Sequence, residues 1–172
     1  MVPIHETARI RLREFTSEDL DPLVAMVTDD EQMRYYPRPK SRAEASEWMD
    51  RNRAFYRDHG FGFWFMESLK ASEFLGYCGI RPMILDGVKE TEVGWHIHKD
   101  YWNRGLATEA ARACRDLAFT RFDLGRLVGL IDPGNAASIR VAERIGMRPE
   151  RQAVADAHPY VVYSVGDDAK VT

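Results

Sequence analysis

The stretch "HIHKDYWNRGLATEAARAC", His96 to Cys114, decides how the rest of the chain is read. A helix start in a soluble protein favours Asp or Glu in its first turn, because the helix dipole is positive there. Here the turn runs Asn103, Arg104, Gly105, Leu106, Ala107, Thr108, and the first acid inside the helix is Glu109. The first amides of a helix have no partner within it and can converge on a phosphate. Gly105 would admit such a group close to the main chain, having no Cβ in the way, and Arg104 adds a charge at the rim. On spacing alone, a plain N-terminus with Asn103 as its cap stands equally. Asp100, in the preceding turn, counts against an anion unless its side chain points away. The stretch carries neither GxxxxGK[ST] nor GxGxxG, so it is not a Walker loop or a dinucleotide fingerprint.

Working outward, Ala107, Ala110, Ala111, Cys114, Leu117 and Ala118 fall on one stripe of this helix, small enough to lie close against a sheet. Upstream, "FGFWFM", "FLGYCGIRPM" and "TEVGWHIH" read as consecutive strands of an antiparallel meander. Downstream, "RLVGLI" is a short apolar strand of the kind buried on both faces. "DPGNAASIRVAERIGMR" then gives a turn, a helix capped by Asn135 and a stop at Gly146, and "PYVVYSV" closes as a last strand. Toward the N-terminus, "RIRLREF" alternates Ile10 and Leu12 against arginines, a half-buried strand. Thr16 with Asp19 and Ser41 with Glu44 are capping boxes. The first precedes a helix carrying Leu20, Leu23, Val24 and Val27. The second opens a helix with Ala45, Trp48, Asn52 and Phe55 on one face, running to about His59 and stopping at Gly60. The order predicts a mixed α/β fold, with a central, mostly antiparallel sheet and helices on both faces, not a doubly wound parallel sheet. No repeat or linker interrupts it, so residues 1–172 read as a single domain.

A net charge of -3 argues against a nucleic-acid binder, which would carry a basic patch. No signal-peptide h-region opens the chain, and no apolar run is long enough to span a bilayer. Cys78 and Cys114 form no CxxC pair and sit in apolar surroundings, so they read as buried free thiols in a reducing cytoplasm. The aromatic run Phe61 to Phe65 reads as core. His96 and His98 share a strand face, but no third ligand is sensibly spaced, so no metal site is expected.

"YWNRGLATEAA", together with "NAASIRVAERIGMR" and "RIRLREFTSEDL", resembles the GCN5-related N-acetyltransferases, and most of all their RimJ/RimL-like type. The likeness runs over nearly the whole chain in the right order. It implies acetyl-CoA as co-substrate, with no metal, and an activity moving acetyl to a primary amine, on a protein N-terminus or a small molecule, by direct attack in a ternary complex. The family's diphosphate-binding pattern falls on Trp102, Asn103, Arg104, Gly105, Leu106 and Ala107, with Thr108 following. Trp102 stands where the pattern has Gln or Arg. The resemblance makes "EVGWHIH" a bulged strand splaying from "RLVGLI". The pantetheine arm would pair in the cleft with the main chain of Trp95, His96 and Ile97, and touch Asn135.

For catalysis, the resemblance points to Glu92 as base, with Glu90 in reserve; a solvent-facing strand charge is the alternative. Main-chain amides at the bulge would support the oxyanion. A tyrosine that many relatives use to protonate the thiolate is replaced by Ala142. Ser138 is the substitute in RimL-like enzymes, or else a second capping serine. The segment Val27 to Ser41 would form a wall of the acceptor cleft, Asp29, Asp30 and Glu31 drawing a cationic amine and Tyr35 and Tyr36 packing its carbon skeleton. A solvated loop with two tucked aromatics fits the same residues. Ala142 keeps open a second class of function, a non-catalytic acyl-CoA-binding or interaction module. Oligomeric state, a homodimer included, is not readable.

Overall fold

Side chains of the central strands alternate between two faces, and that alternation sets the layers. In the computed structural model, which describes residues 3–167, Trp64 and Met66 of β3 (Phe63–Ser68) enter one core and Phe63 and Phe65 the other. On β4 (Phe74–Leu85), Cys78 and Ile80 join the first core and Tyr77 the second. The second face is covered by α1 (Leu20–Val27) and α2 (Arg42–His59), through Leu23, Met26, Ala45 and Met49. The first is covered by α3 (Leu106–Thr120) and α4 (Ala136–Arg144), through Ala110, Ala111, Cys114, Val141 and Ala142. Small residues let α3 lie close to the sheet, and Cys78 and Cys114 meet there unbridged, Sγ to Sγ 3.4 Å.

The sheet has eight strands in the order β1-β2-β3-β4-β5-β6-β8-β7. The remaining strands are β1 (His5–Glu6), β2 (Ile10–Arg13), β5 (Val88–Ile97), β6 (Arg126–Ile131), β7 (Arg148–Ala155) and β8 (His158–Gly166). Every neighbouring pair is antiparallel except β5 with β6. A parallel pair needs a crossover, and α3 supplies it. β5 and β6 share one register pair, Glu92 with Val128, and then part. The sheet is therefore splayed just before the Gly105 helix, as the family resemblance implies.

One expectation is corrected. β5 carries no bulge against β4, because the register runs unbroken from Leu85–Val88 to Gly76–Ile97. The two-residue turn at Asp86 and Gly87, φ 50° and 79°, is of the primed kind that fixes hairpin register. The gap opens on the other edge of β5, where β6 takes its full ladder from β8.

Both capping boxes form, Thr16 with Asp19 and Ser41 with Glu44, and Gly60 ends α2 at φ 79°. Arg13 grips Asp19 with two bonds of 2.7 and 2.8 Å, tying β2 to the start of α1. Burial alone would raise the Asp19 carboxyl, but the bonds from Arg13 and Thr16 outweigh it and hold the group below the usual range.

Candidate active site

Gly105 is the N-cap of α3, at φ 76° and ψ 4°, and no side chain caps the helix. Asn103, the alternative cap, instead takes a left-handed conformation of its own at φ 61°. Glu109 N–H already bonds the Gly105 carbonyl at 3.1 Å, so the open donors are the amides of the first turn before it, Leu106, Ala107 and Thr108. The Glu109 carboxylate is turned away. It accepts from Thr7 Oγ1 at 2.6 Å, Arg9 N at 3.0 Å and Arg9 Nε at 2.7 Å. The Asp100 side chain is mostly exposed and stands outside the groove, so the positive end of α3 is left uncompensated. The groove in front of it, about 450 Å³, is walled by Arg34, Arg104, Arg140 and Arg144 against Glu31.

Across the groove lies the edge of β5. His98 N–H bonds the Leu75 carbonyl at 2.9 Å, and the unbroken register puts the main-chain groups of His96 on β4 as well. The groups facing the gap are therefore those of Trp95 and Ile97, and the Ile97 carbonyl is taken by Trp102 Nε1 at 2.7 Å. Here the sequence expectation is narrowed. His96 does not offer its main chain to the cleft, and Trp102 braces the strand. The His96 ring is buried, stacked on Tyr36 at a centroid distance of 5.2 Å. Its Nε2 lies 3.1 Å from the Gln32 carbonyl, which can only accept, so Nε2 carries the proton. Burial pushes the imidazolium down to about 4, leaving the ring neutral at pH 7.

Tyr35, Tyr36, Trp95, Asn135 and Ser138 line both this groove and a second cavity of about 800 Å³. Asn135 Oδ1 accepts from Ser138 N at 3.1 Å, so Asn135 is the cap of α4 and Ser138 is not. Glu92 lines the second cavity. Its side chain is only 13% exposed and accepts from Arg81 Nε at 2.6 Å, so it is not a solvent-facing charge. Glu90 instead pairs with Arg126 at 3.2 Å and lines neither cavity. Ala142 is fully buried in the core.

The acidic loop behaves differently from the sequence expectation. Asp29 and Glu31 are drawn to Lys99 Nζ, at 2.5 and 3.4 Å, which pins the loop to the turn after β5. Asp30 is exposed and lines neither cavity. Beside Glu92, the carboxylates that line the second cavity are Asp132 and Asp156, with Tyr160 among them, and Glu44, which is engaged by Arg38. Asp132 accepts from Gly134 N at 2.7 Å and pairs with His158 Nε2 at 2.6 Å. Sequence reasoning passed over Asp132, although its place just before the "PGN" turn, three residues ahead of Asn135, is the signal that could have found it. Among the described residues no group of three or more His, Cys, Asp or Glu side chains converges as a metal site.

An uncapped helix start, a parted parallel pair and a shared junction between two cavities make up the candidate site. The chain belongs to the GNAT family, whose acetyltransferase domain model matches residues 9–148. It is similar to the uncharacterized protein YkkB of Bacillus subtilis (strain 168), 38% identical over 158 residues that cover 91% of this chain and 92% of that one. An acetyltransferase from Agrobacterium tumefaciens str. C58 superposes with a TM-score of 0.84 at 27% identity, over 96% of this chain and 95% of that one. RimL, a ribosomal L7/L12 alpha-N-protein acetyltransferase solved with coenzyme A, shares the fold at a TM-score of 0.80 and 18% identity, over 98% and 99%. The protein is an acetyl-CoA-dependent acetyltransferase.

Proposed function

We propose that the protein acetylates a primary amine by direct attack in a ternary complex, with acetyl-CoA in the groove and the amine in the second cavity. The observation that carries this is the junction. The five residues Tyr35, Tyr36, Trp95, Asn135 and Ser138 belong to both spaces, so a thioester and an amine would meet there. The groove suits acetyl-CoA on its own features: Gly105 leaves the open amides unshielded, and Arg104 stands beside them. Acetyl-CoA supplies an activated acyl carbon and a thiolate leaving group.

The chain's residues do the rest. The amides of Leu106, Ala107 and Thr108 hold the diphosphate, with the left-handed turn at Asn103 presenting Arg104. Trp95 and Ile97 hold the pantetheine arm as an added strand would, and the Asn135 side-chain N–H₂ is left to assist. The Ser138 hydroxyl, free of the cap, donates to the sulfur. Glu92, oriented by Arg81, takes the proton from the incoming ammonium through water. Tyr35 and Tyr36 pack the acceptor's carbon skeleton. The acidic attraction assigned to Asp30 passes to Glu92 and Asp132, which face the cavity. We assign the protein to the RimJ/RimL-like type and to the cytoplasm, in line with its unbridged thiols; among the described residues no helix is long and apolar enough to cross a membrane.

The test is a calorimetric titration of acetyl-CoA, followed by a thiol-release screen over amino acids, peptides with free N-termini, polyamines and aminoglycosides. Binding of acetyl-CoA with thiol release driven by an amine supports the reading. No heat on titration overturns it, and so does thiol release that no amine accelerates.

A further inference from the structure

The charges lining the second cavity are not evenly spread. The sheet order sets β3 and β4 on one side of β5, with α2 packed over them, and β6, β8 and β7 on the other. The α2 wall brings Arg38, Lys40 and Arg51, with Glu44 as its one acid. Arg38 is neutralised by Glu44, with which it makes two hydrogen bonds. Lys40 is half-buried and has no carboxylate within ion-pair distance among the described residues. Arg51 reaches only Glu47, at 3.8 Å, with both side chains mostly exposed. This wall therefore keeps two cations without close partners.

The opposite wall carries Asp132, at the end of β6, and Asp156, in the β7–β8 turn. Asp132 lies at the foot of the turn that leads into Asn135 and Ser138, and so next to the junction. Glu92 sits between the walls and is held by Arg81. Tyr160 gives a measure of how close these acids are to one another. Burial raises its hydroxyl first, and Asp156, Glu92 and Asp132 each raise it further, so all three face one region. The cavity thus has an acidic wall on the β6 and β7–β8 side, adjoining the junction through Asp132, and a basic wall on the α2 side.

We infer that the acceptor is an amine that also carries an anionic group, its ammonium at the Asp132 wall and its anion toward Lys40 and Arg51, and that polycationic amines are rejected. This rests on the acetyltransferase reading of the same cavity. A polyamine or aminoglycoside would set its second ammonium against the α2 wall, where like charges repel. A volume of about 800 Å³ lies toward the upper end of the range of about 300–1,000 Å³ for small-molecule sites. It leaves room for more than one amino-acid residue.

The experiment uses the whole protein and five probes: serine, serinamide, the tripeptides Ser-Glu-Asp and Ser-Lys-Lys, and spermidine. Each is titrated by calorimetry into protein saturated with CoA, which needs no turnover, and each is also assayed for thiol release from acetyl-CoA. Serine is expected to exceed serinamide, and Ser-Glu-Asp to exceed Ser-Lys-Lys and spermidine, by tenfold or more in affinity and in kcat/KM. Which of serine and Ser-Glu-Asp is favoured distinguishes a free amino acid from a peptide end. In the Lys40→Gln/Arg51→Gln double variant these ratios fall toward one while the acetyl-CoA Kd is unchanged. Best binding by spermidine or Ser-Lys-Lys overturns the inference, as do equal ratios in the wild type or no binding by either anionic probe. Failure of acetyl-CoA itself to bind, seen in a separate titration, sinks the acetyltransferase reading and this one with it.

Discussion

Replacing Gly105 separates the conformational role of that residue from its place in the binding site. At φ 76° any side chain sits in the left-handed region, at a cost of about 1–2 kcal/mol. A Cβ there would meet only Arg9 Nη2, at 3.6 Å, which is ordinary contact. Gly105→Ala should therefore lower stability by about 1–2 kcal/mol and lower affinity by less than tenfold. Gly105→Glu adds a negative charge at the positive end of the helix, on a Cβ beside Arg9. A unit charge about 5 Å from one charge of the diphosphate, at an effective dielectric constant of about 20, repels it by about 3 kcal/mol. That is about two powers of ten in Kd. Acetyl-CoA is titrated by calorimetry into the wild type and both variants, and a urea melt of each measures the shared strain. The expected pattern is two variants equally destabilised, of which only Gly105→Glu loses about a hundredfold in affinity. A Gly105→Glu protein that binds acetyl-CoA like the wild type refutes the assignment of the diphosphate to this helix start.

Three further outcomes follow from the same geometry. His96 titrates near 4 when folded, against 6.5 for an ordinary histidine. The unfolded chain therefore takes up a proton that the folded one refuses, and stability falls as pH drops from about 6.5 to 4, by about 3 kcal/mol over the window. Urea midpoints at pH 7 and 4.5 should converge in His96→Gln, and an unchanged slope rules the residue out as the source. Asp19→Asn strands Arg13 in a mostly buried site, so its urea melt should show a loss of about 3 kcal/mol; a loss under about 0.5 kcal/mol would place the pair in the weak surface class. Glu92→Gln should lower kcat by about 10²–10⁴-fold, most severely at low pH where the amine is hardest to deprotonate, and an unaltered pH–rate profile removes Glu92 from the mechanism.

Local patterns reached the sequence reading because their causes are local. The two capping boxes, the stop at Gly60 and the small stripe from Ala110 to Ala118 each depend on residues a few positions apart, and each is found. The helix start at Gly105 was legible for the same reason. What depends on register was harder to see. Whether His96 or its neighbours face the cleft is set by the Asp86–Gly87 turn some ten residues away, and the side from which β5 parts is set by where β6 finds its partner. The acceptor side was least legible. Asp29 and Glu31 are claimed by Lys99, while Asp132 and Asp156 reach the cavity only because β6 and the β7–β8 turn close over it. Nothing near Asp30 in sequence distinguishes it from them.

The bond between Glu109 and the pair Thr7 and Arg9 spans about a hundred positions of chain, and Arg9 also donates to the Arg104 carbonyl at 2.9 Å. A chain emerging from the ribosome exposes Thr7 and Arg9 long before their partner exists. The anchor of this helix start can set only after residue 109 has left the exit tunnel. Until then the nascent sheet, however well formed, lacks the fixed helix end to which the diphosphate is assigned.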